Sequence, residues 1–351
     1  MSNLGGGRIR YIDTLRGFTM LLVVFQHIRQ FSIGLGSSDS AIAAFFISFR
    51  MPMFFFISGY VAYKAVHHWT WSFYSHRLLT KARVQLFPTI VFWALYIIVI
   101  GMCSFPGGFW FTESLFEMFI LYFSIAFCCN RCKLGGKTES ITIILSILAV
   151  LLFNRGCPQL HDKYHLVLGS TSKFYIFFGI GLLMKKYNDK FIHFLESKVT
   201  ITVLIVGAVL CLISLYKYQL FGNYRPVQTG VLYLTGLLLV YVIFAAFHNN
   251  ATFWNKKGWV QNTMEYIGRR TLDLYMIHSF LLPDLHQLRP FLTSGNNEIV
   301  IEFFVIGILT LMVTGCALLI SSLLRTSPVL AKWLFGVTNK MPQNLKERVL
   351  S

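Results

Sequence analysis

Residues 299–324 read IVIEFFVIGILTLMVTGCALLISSLL, an almost unbroken apolar run with one charged residue, Glu302. A helix needs about 20 apolar residues to cross the hydrocarbon core of a bilayer, so this stretch is long enough to span a membrane. Similar runs recur along the whole chain. The sequence therefore predicts an integral membrane protein that crosses the bilayer several times.

The composition of the whole chain supports the same conclusion. Of its 351 residues, 55% are hydrophobic and 13% are charged, whereas ordinary soluble domains carry about 25% charged residues. These values exclude a disordered chain, a coiled coil and almost any soluble enzyme. The net charge of +17 would indicate nucleic-acid binding in a soluble protein, but in a membrane protein it indicates basic cytoplasmic loops. We therefore expect no nucleic-acid partner.

Ten stretches have the length and hydropathy of a transmembrane helix, which predicts an all-α, polytopic membrane protein with about ten transmembrane helices. These stretches are residues 12–31, 40–62, 86–103, 109–127, 140–154, 173–186, 199–217, 226–247, 264–283 and 299–324. Residues 1–351 then form a single transmembrane domain. Its helical bundle covers about 12–324, and a basic cytoplasmic tail covers 325–351.

The distribution of Lys and Arg predicts the orientation of the chain. When the N-terminus is placed inside, most of the 31 Lys and Arg residues fall in segments on the inner side. The positive-inside rule then predicts that the N- and C-termini are both cytoplasmic.

Several ionisable residues lie within the predicted spans, where a charge costs about 2.5–3.5 kcal/mol on insertion scales and indicates a functional site. The predicted topology places them in two layers. The outer layer contains His27, Glu113, Glu117 and His278, and the inner layer contains Arg16, Lys81, Arg83, Arg269 and Arg270. Arg50 lies near mid-depth without a local partner.

These residues also have structural interpretations, which the sequence leaves open. Arg269 and Arg270 could snorkel to the headgroups, and His278 could be a satisfied histidine between helices. Glu113 could cap its helix, and Asp13 could pair with Arg16. His27 follows Arg16 by eleven residues, about 16 Å along a helix, so these two side chains could contact the two ends of one long substrate.

Five sequence motifs occur in order along the chain. They are YIDTLRGFTMLLVVFQH (11–27, with Arg16 and His27), FRMPMFFFISGY (49–60), KARVQLFP (81–88), WFTESLFEMF (110–119) and IGRRTLDLYMIH (267–278). Together they resemble the acyltransferase 3 family of polytopic membrane acyltransferases, from residue 8 to about 325. The sequence departs from the family at Arg50, where similar members often have histidine. It also has fewer basic residues than usual in the stretch before Pro88.

The resemblance implies a membrane O-acyltransferase that uses a cytoplasmic acyl-CoA, most commonly acetyl-CoA, as co-substrate. The acceptor would be a hydroxyl of a glycan or a lipid-linked saccharide, and the location would be the inner membrane of a bacterium. No permanently bound cofactor is expected. No metal site is expected either, because Cys128, Cys129 and Cys132 lack a second pair of ligands.

The residue types suit this chemistry. Histidine can act as a general base near neutral pH, so we expect His27 to take the proton of the acceptor hydroxyl, with an acyl-histidine intermediate as a rival mechanism. Glu117 or Glu113 is the expected orienting partner of His27. The acyl-CoA phosphates are expected to bind a set of basic residues: Arg16, Lys81, Arg83 and Arg50, with Arg77 or Lys64 as substitutes.

Two other functions remain open from the sequence. A multi-pass transporter or flippase for a glycan or an anionic substrate would also have about ten spans and buried charges. A non-catalytic partner in a polysaccharide export complex is the third interpretation, and it predicts that replacing His27 has little effect.

Overall fold

The computed structural model describes residues 9–36, 41–63, 69–101, 109–156, 168–217, 225–293 and 298–336. Within these ranges the chain is almost entirely helical and contains no β-strand. The predicted all-α fold is therefore confirmed for this part of the chain. Lys64 and residues 337–351 of the predicted tail lie outside the described residues.

Six helices form the first half of the described chain: α1 (Arg10–His27), α2 (Ala41–Ala62), α3 (Trp71–Ile100), α4 (Trp110–Arg131), α5 (Gly136–Gly156) and α6 (Leu168–Lys186). A short π-helix, Ile28–Ser32, directly continues α1.

The second half contains α7 (Asn188–Glu196), α8 (Lys198–Leu212), α9 (Arg225–Asn249), α10 (Ala251–Trp254), α11 (Trp259–Arg269), α12 (Thr271–Ile277), α13 (Arg289–Thr293), α14 (Glu298–Leu324) and α15 (Pro328–Phe335). A π-turn, Ile213–Lys217, extends α8, and a 3₁₀ turn, His278–Leu281, extends α12. A second 3₁₀ turn covers His286–Leu288.

Seven of the described helices are long and apolar enough to cross a membrane: α2, α3, α4, α5, α8, α9 and α14. The protein is thus a polytopic membrane protein. The other three predicted spans coincide with α1, with α6 and with the α11–α12 segment. The total of about ten spans and the cytoplasmic location of both termini stay predictions.

The predicted span 264–283 differs from the structure, because it is not one helix. Helix α11 ends at Arg269, α12 begins at Thr271, and the chain tightens into a 3₁₀ turn at His278. Asp273, which is buried in α12, accepts hydrogen bonds from Arg325 and Ser321 at the end of α14. These contacts join α12 to the end of α14.

Two pairs of helices cross with their backbones in contact, at glycine residues. A Cβ atom on Gly59 of α2 would overlap the carbonyl oxygen of Phe178 in α6, and one on Gly181 of α6 would overlap that of Phe56. In the same way, a Cβ on Gly268 of α11 would overlap the carbonyl oxygen of Asp13 in α1. Small residues allow such close approach between membrane helices. The crossings fix α2 against α6 and α1 against α11.

Helix α3 is longer than its predicted span, 86–103, because it starts at Trp71. Thr70 caps it by accepting a hydrogen bond from the backbone N–H of Phe73 at 3.2 Å. The basic residues Arg77, Lys81 and Arg83 therefore lie on a continuous helix. Arg77 and Lys81 are four residues apart and share one face of it.

Candidate active site

A basic cavity of about 240 Å³ opens between α1, α2, α3 and α4. Three cationic side chains line it: Arg16 from α1, and Arg77 and Lys81 from α3. Aromatic side chains, among them Trp69 and Tyr122, form the rest of its wall. This end of the bundle, named here the Arg16 end, combines positive charge with aromatic surface.

A second cavity, of about 230 Å³, shares Arg16 and Lys81 with the first and is lined towards its other end by apolar side chains. Among these are Val23 of α1, Met51 of α2 and Tyr275 of α12. Val23 precedes His27 by four residues, about 6 Å along the helix. The second cavity thus extends from the cations towards the end of α1 that carries His27, named here the His27 end, although His27 itself lines neither cavity.

Two histidine side chains are in direct contact at the His27 end. The Nδ1 atom of His27 lies 2.7 Å from the Nε2 atom of His278, and the two rings meet edge to edge, with 20° between their planes and centroids 4.9 Å apart. The Nδ1 atom of His278 lies 2.8 Å from the backbone oxygen of Leu274. His27 is partly exposed, whereas His278 is fully buried.

The chain immediately after His27 is held by a buried ion pair. Helix α1 changes to a π-helix at Ile28, a distortion that is frequent at functional sites. Arg29, fully buried in this turn, contacts Glu302 of α14 at 2.6 Å and donates to the carbonyl oxygen of Gly36. These contacts anchor the end of the helix that carries His27.

Arg50 lies on α2, away from the Arg16 end. It is eight residues from Ser58, which lines both cavities with Arg16, and this separation is about 12 Å along the helix. The Nε and Nη1 atoms of Arg50 are buried and have no hydrogen-bond partner among the described residues. Its guanidinium is within electrostatic range of the His27 ring. The structure thus groups Arg50 with His27 rather than with Arg16 and Lys81.

The two candidate carboxylates do not contact His27 in the described structure. Glu117 accepts a hydrogen bond from the hydroxyl of Thr171 on α6. Glu113, on the same face of α4, has a buried Oε2 atom without a partner among the described residues. The hydrogen-bond partner of His27 is His278 instead. The orienting role predicted for Glu113 or Glu117 therefore has no contact that supports it here.

The basic residues of α3 divide between two faces. Lys81 lines both cavities, and its Nζ atom lies 3.8 Å from the centre of the Phe119 ring. Arg83 is two residues further on, about 200° around the helix. Its guanidinium lies 5.3 Å from the centre of the Trp333 ring on α15, and it lines neither cavity.

The remaining inner-layer residues form ion pairs. Arg269 lines the second cavity and pairs with Glu265, while its Nε atom lies 3.9 Å from Asp13. Arg270 donates to Ser321 at 2.9 Å and lies 3.5 Å from Asp273. Both arginines therefore have protein partners in addition to any contact with headgroups.

Comparison with protein families identifies the chain. The family model described as an acyltransferase domain, Acyl_transf_3, matches residues 9–322, nearly the whole chain. The chain belongs to the acyltransferase 3 family. It is therefore a membrane acyltransferase, as the motifs predict. No curated protein and no solved structure matched the chain.

The matched region of this acyltransferase contains every residue of the two cavities and both histidines. Sequence reasoning identified His27 and His278 separately but not their contact. It also missed Tyr275, whose hydroxyl accepts a hydrogen bond from the backbone N–H of Phe111 at 3.1 Å and joins α12 to the start of α4. The only sequence feature that could have pointed to Tyr275 was its position three residues before His278 in the last motif.

Proposed function

We propose that this acyltransferase moves an acyl group, most commonly acetyl, from cytoplasmic acyl-CoA to a hydroxyl of a cell-surface or lipid-linked glycan in a bacterial inner membrane. One observation carries the proposal. A cavity wall begins at the cations Arg16 and Lys81 and reaches Val23, one turn before His27. A substrate with an anionic head, a long thin arm and a reactive end fits this arrangement.

The Arg16 end suits the nucleotide part of acyl-CoA. Arg16, Arg77 and Lys81 offer several donors to phosphate oxygens, and charge-assisted hydrogen bonds of this kind are strong. Trp69 and Tyr122 present aromatic surface on which an adenine ring can stack. We do not include Arg83 among the direct ligands, because its guanidinium packs on Trp333 instead.

The apolar part of the second cavity suits the pantetheine arm and the acyl group. Val23, Met51 and Tyr275 line this part, and an apolar wall excludes water that would hydrolyse the thioester. The arm would carry the thioester to His27. The acceptor would reach His27 from the other side of the membrane.

His27 performs the proton transfer in this proposal. It takes the proton of the acceptor hydroxyl, whose oxygen attacks the thioester carbonyl carbon. The carbon–sulfur bond then breaks, and the CoA thiolate takes the proton from His27 to become the thiol. A route through acyl-histidine uses the same side chain as the nucleophile.

Arg50 is our candidate for stabilising the oxyanion that forms during transfer. Its Nε and Nη1 atoms are buried without a partner among the described residues, and an unpaired buried charge is costly unless a ligand compensates it. A preorganised donor near the reacting carbonyl stabilises the developing negative charge. This role replaces the acyl-CoA phosphate contact predicted for Arg50.

The positive-inside rule supports the orientation that the mechanism requires. The Arg16 end would face the cytoplasm, where acyl-CoA is made, and the His27 end would face outward. Both termini would then be cytoplasmic.

Isotope transfer tests the proposal. Purified protein in lipid nanodiscs receives radiolabelled acetyl-CoA and a glycan extract of the host, and His27→Ala is the matched control. Label in glycan with the wild type alone is the expected result. Equal transfer by both proteins would contradict the role of His27. If the protein neither bound acyl-CoA nor transferred label, the glycan transporter would become the better interpretation.

A further inference from the structure

We propose that His278 is a positioning residue that fixes the tautomer of His27, so that Nε2 of His27 carries the free lone pair. This inference rests on the proposed function, because it assigns an atom to the base proposed there. It names His278 for the orienting role that the sequence predicted for Glu113 or Glu117.

The backbone of α12 determines which ring nitrogen of His278 carries the proton. The Nδ1 atom of His278 lies 2.8 Å from the carbonyl oxygen of Leu274, one turn earlier. A carbonyl oxygen only accepts hydrogen bonds, so Nδ1 of His278 must carry the proton and donate it. In a neutral imidazole the other nitrogen, Nε2, is then an acceptor.

The position of the proton on His27 follows from its position on His278. The Nε2 atom of His278 lies 2.7 Å from Nδ1 of His27. Because Nε2 of His278 is the acceptor, Nδ1 of His27 must be the donor. The remaining nitrogen of His27, Nε2, is left without a proton. Two contacts thus select one of the two neutral tautomers of His27.

The surroundings favour the neutral form of His278 on which this assignment depends. His278 is 1% exposed, and the contacts of its side chain are with a backbone carbonyl and with aromatic rings. None of these described contacts is a carboxylate that could balance an imidazolium. The guanidinium of Arg50 is also within electrostatic range of the paired ring, and a second buried cation there would be repelled.

The supporting structure keeps the two rings in place. Tyr275 joins α12 to α4, and Asp273 joins α12 to α14, as described above. The other ring is held because Arg29, two residues after His27, is anchored to Glu302. Contacts of neighbouring residues therefore hold both histidines in place, in addition to the contact between the two rings. Such support preorganises a catalytic group.

The tautomer matters for the reaction. Nε2 of His27 accepts the hydroxyl proton as the oxygen–carbon bond forms, and it returns that proton to the thiolate after the carbon–sulfur bond breaks. Meanwhile, Nδ1–H of His27 keeps its hydrogen bond to Nε2 of His278, which stabilises the transient imidazolium. If His278 were absent, the two tautomers of His27 would compete.

Two variants of His278 test the inference by kinetics. His278→Leu removes the acceptor, and His278→Gln offers an amide oxygen that can accept from His27. We expect the leucine variant to lose about 10²–10⁴-fold in kcat, with KM for acyl-CoA little changed and acyl-CoA binding retained. The glutamine variant should recover part of this loss. Full kcat in the leucine variant would overturn the inference.

A direct measurement of the tautomer in the wild type does not depend on how well the His278 variants fold. Protein labelled with nitrogen-15 histidine in nanodiscs is examined by solid-state NMR, and His27→Ala identifies the signals of His27. We expect protonated Nδ1 and unprotonated Nε2 in the wild type. Protonated Nε2 in the wild type would overturn the inference. Full transfer by His27→Ala would instead contradict the proposed function, whatever the tautomer is.

Discussion

Arg325 donates two hydrogen bonds to the carboxylate of Asp273, at 2.8 and 2.9 Å, and thereby joins the end of α14 to α12. Asp273 is buried and Arg325 is partly exposed. Because Asp273 lies five residues before His278 on the same segment, this ion pair also fixes the helix that carries the second histidine of the candidate site.

Removing one partner of this ion pair should destabilise the protein. Asp273→Ala leaves Arg325 without its carboxylate, and breaking a buried pair costs about 3–5 kcal/mol, less here because Arg325 reaches solvent. Thermal unfolding in detergent should therefore show a lower Tm. The double variant Asp273→Ala, Arg325→Met should recover part of the loss. An unchanged Tm for the single variant would show that the pair does not hold α12.

Lys81 and Arg83 should differ in their effect on acyl-CoA, because only Lys81 lines the cavities. Lys81→Ala removes a charge-assisted contact worth about 1.5–3 kcal/mol, which corresponds to a rise of roughly 10–100-fold in KM for acyl-CoA. Arg83→Ala, two residues away on the same helix, should change this KM much less. Steady-state kinetics with varied acyl-CoA checks the difference. An effect of Lys81→Ala on the KM for acceptor alone would rule out its phosphate role.

Arg50 should be important for activity but unfavourable for stability. Arg50→Met removes the proposed oxyanion donor, so kcat should fall about 10²–10³-fold. It also removes a buried guanidinium with two unpaired nitrogens, so Tm should rise. Arg50→Lys keeps the charge and should retain part of the activity without the gain in Tm. If Arg50→Met kept full kcat, the oxyanion role would be wrong.

Two glycine substitutions should have opposite effects. Gly268→Ala places a Cβ against the carbonyl oxygen of Asp13, and overpacking of this kind costs about 1–3 kcal/mol. Gly307→Ala in α14 meets nothing within 4 Å, and alanine is favoured over glycine in a helix by roughly 0.5–1 kcal/mol. Thermal unfolding of the two variants provides the comparison. Equal Tm values would show that α1 and α11 can separate without cost.

The proposed topology predicts which surface residues can be labelled from outside the cell. Gln287 and Asn255 are both exposed, and the topology places Gln287 outside and Asn255 in the cytoplasm. With the native cysteines replaced, Gln287→Cys should react with an impermeant thiol reagent in intact cells, and Asn255→Cys should react only after lysis. The reverse pattern would invert the orientation and with it the cytoplasmic entry of acyl-CoA.

Hydropathy and helical spacing predicted most of the architecture, because a membrane imposes a simple length requirement on each span. The helical rise over the eleven residues from Arg16 to His27 also predicted that these two residues lie far apart on one helix. The break after Arg269 was not predictable in the same way. It depends on the Gly268 crossing and on Asp273, whose partner Arg325 comes from a distant part of the chain.

The pairing of His27 with His278 illustrates a second limit. Depth along the bilayer placed both residues in one layer, but Glu113 and Glu117 were assigned to that layer as well. Which of them meets His27 depends on how each helix is rotated about its axis. The rotation follows from contacts such as that of Glu117 with Thr171, which no local pattern reveals.

Helix α3 has 30 residues and is therefore about 45 Å long, whereas the hydrocarbon core is about 30 Å thick. If the helix stands upright and its second end stays within the core, the excess of about 15 Å places the first ten residues at the level of the lipid headgroups, and this stretch carries Arg77 and ends next to Lys81. Anionic phospholipids then present phosphate groups to the same side chains that we assign to acyl-CoA. The lipid composition of the membrane would thus act as a competitor for the substrate, and turnover would depend on how acidic the surrounding leaflet is.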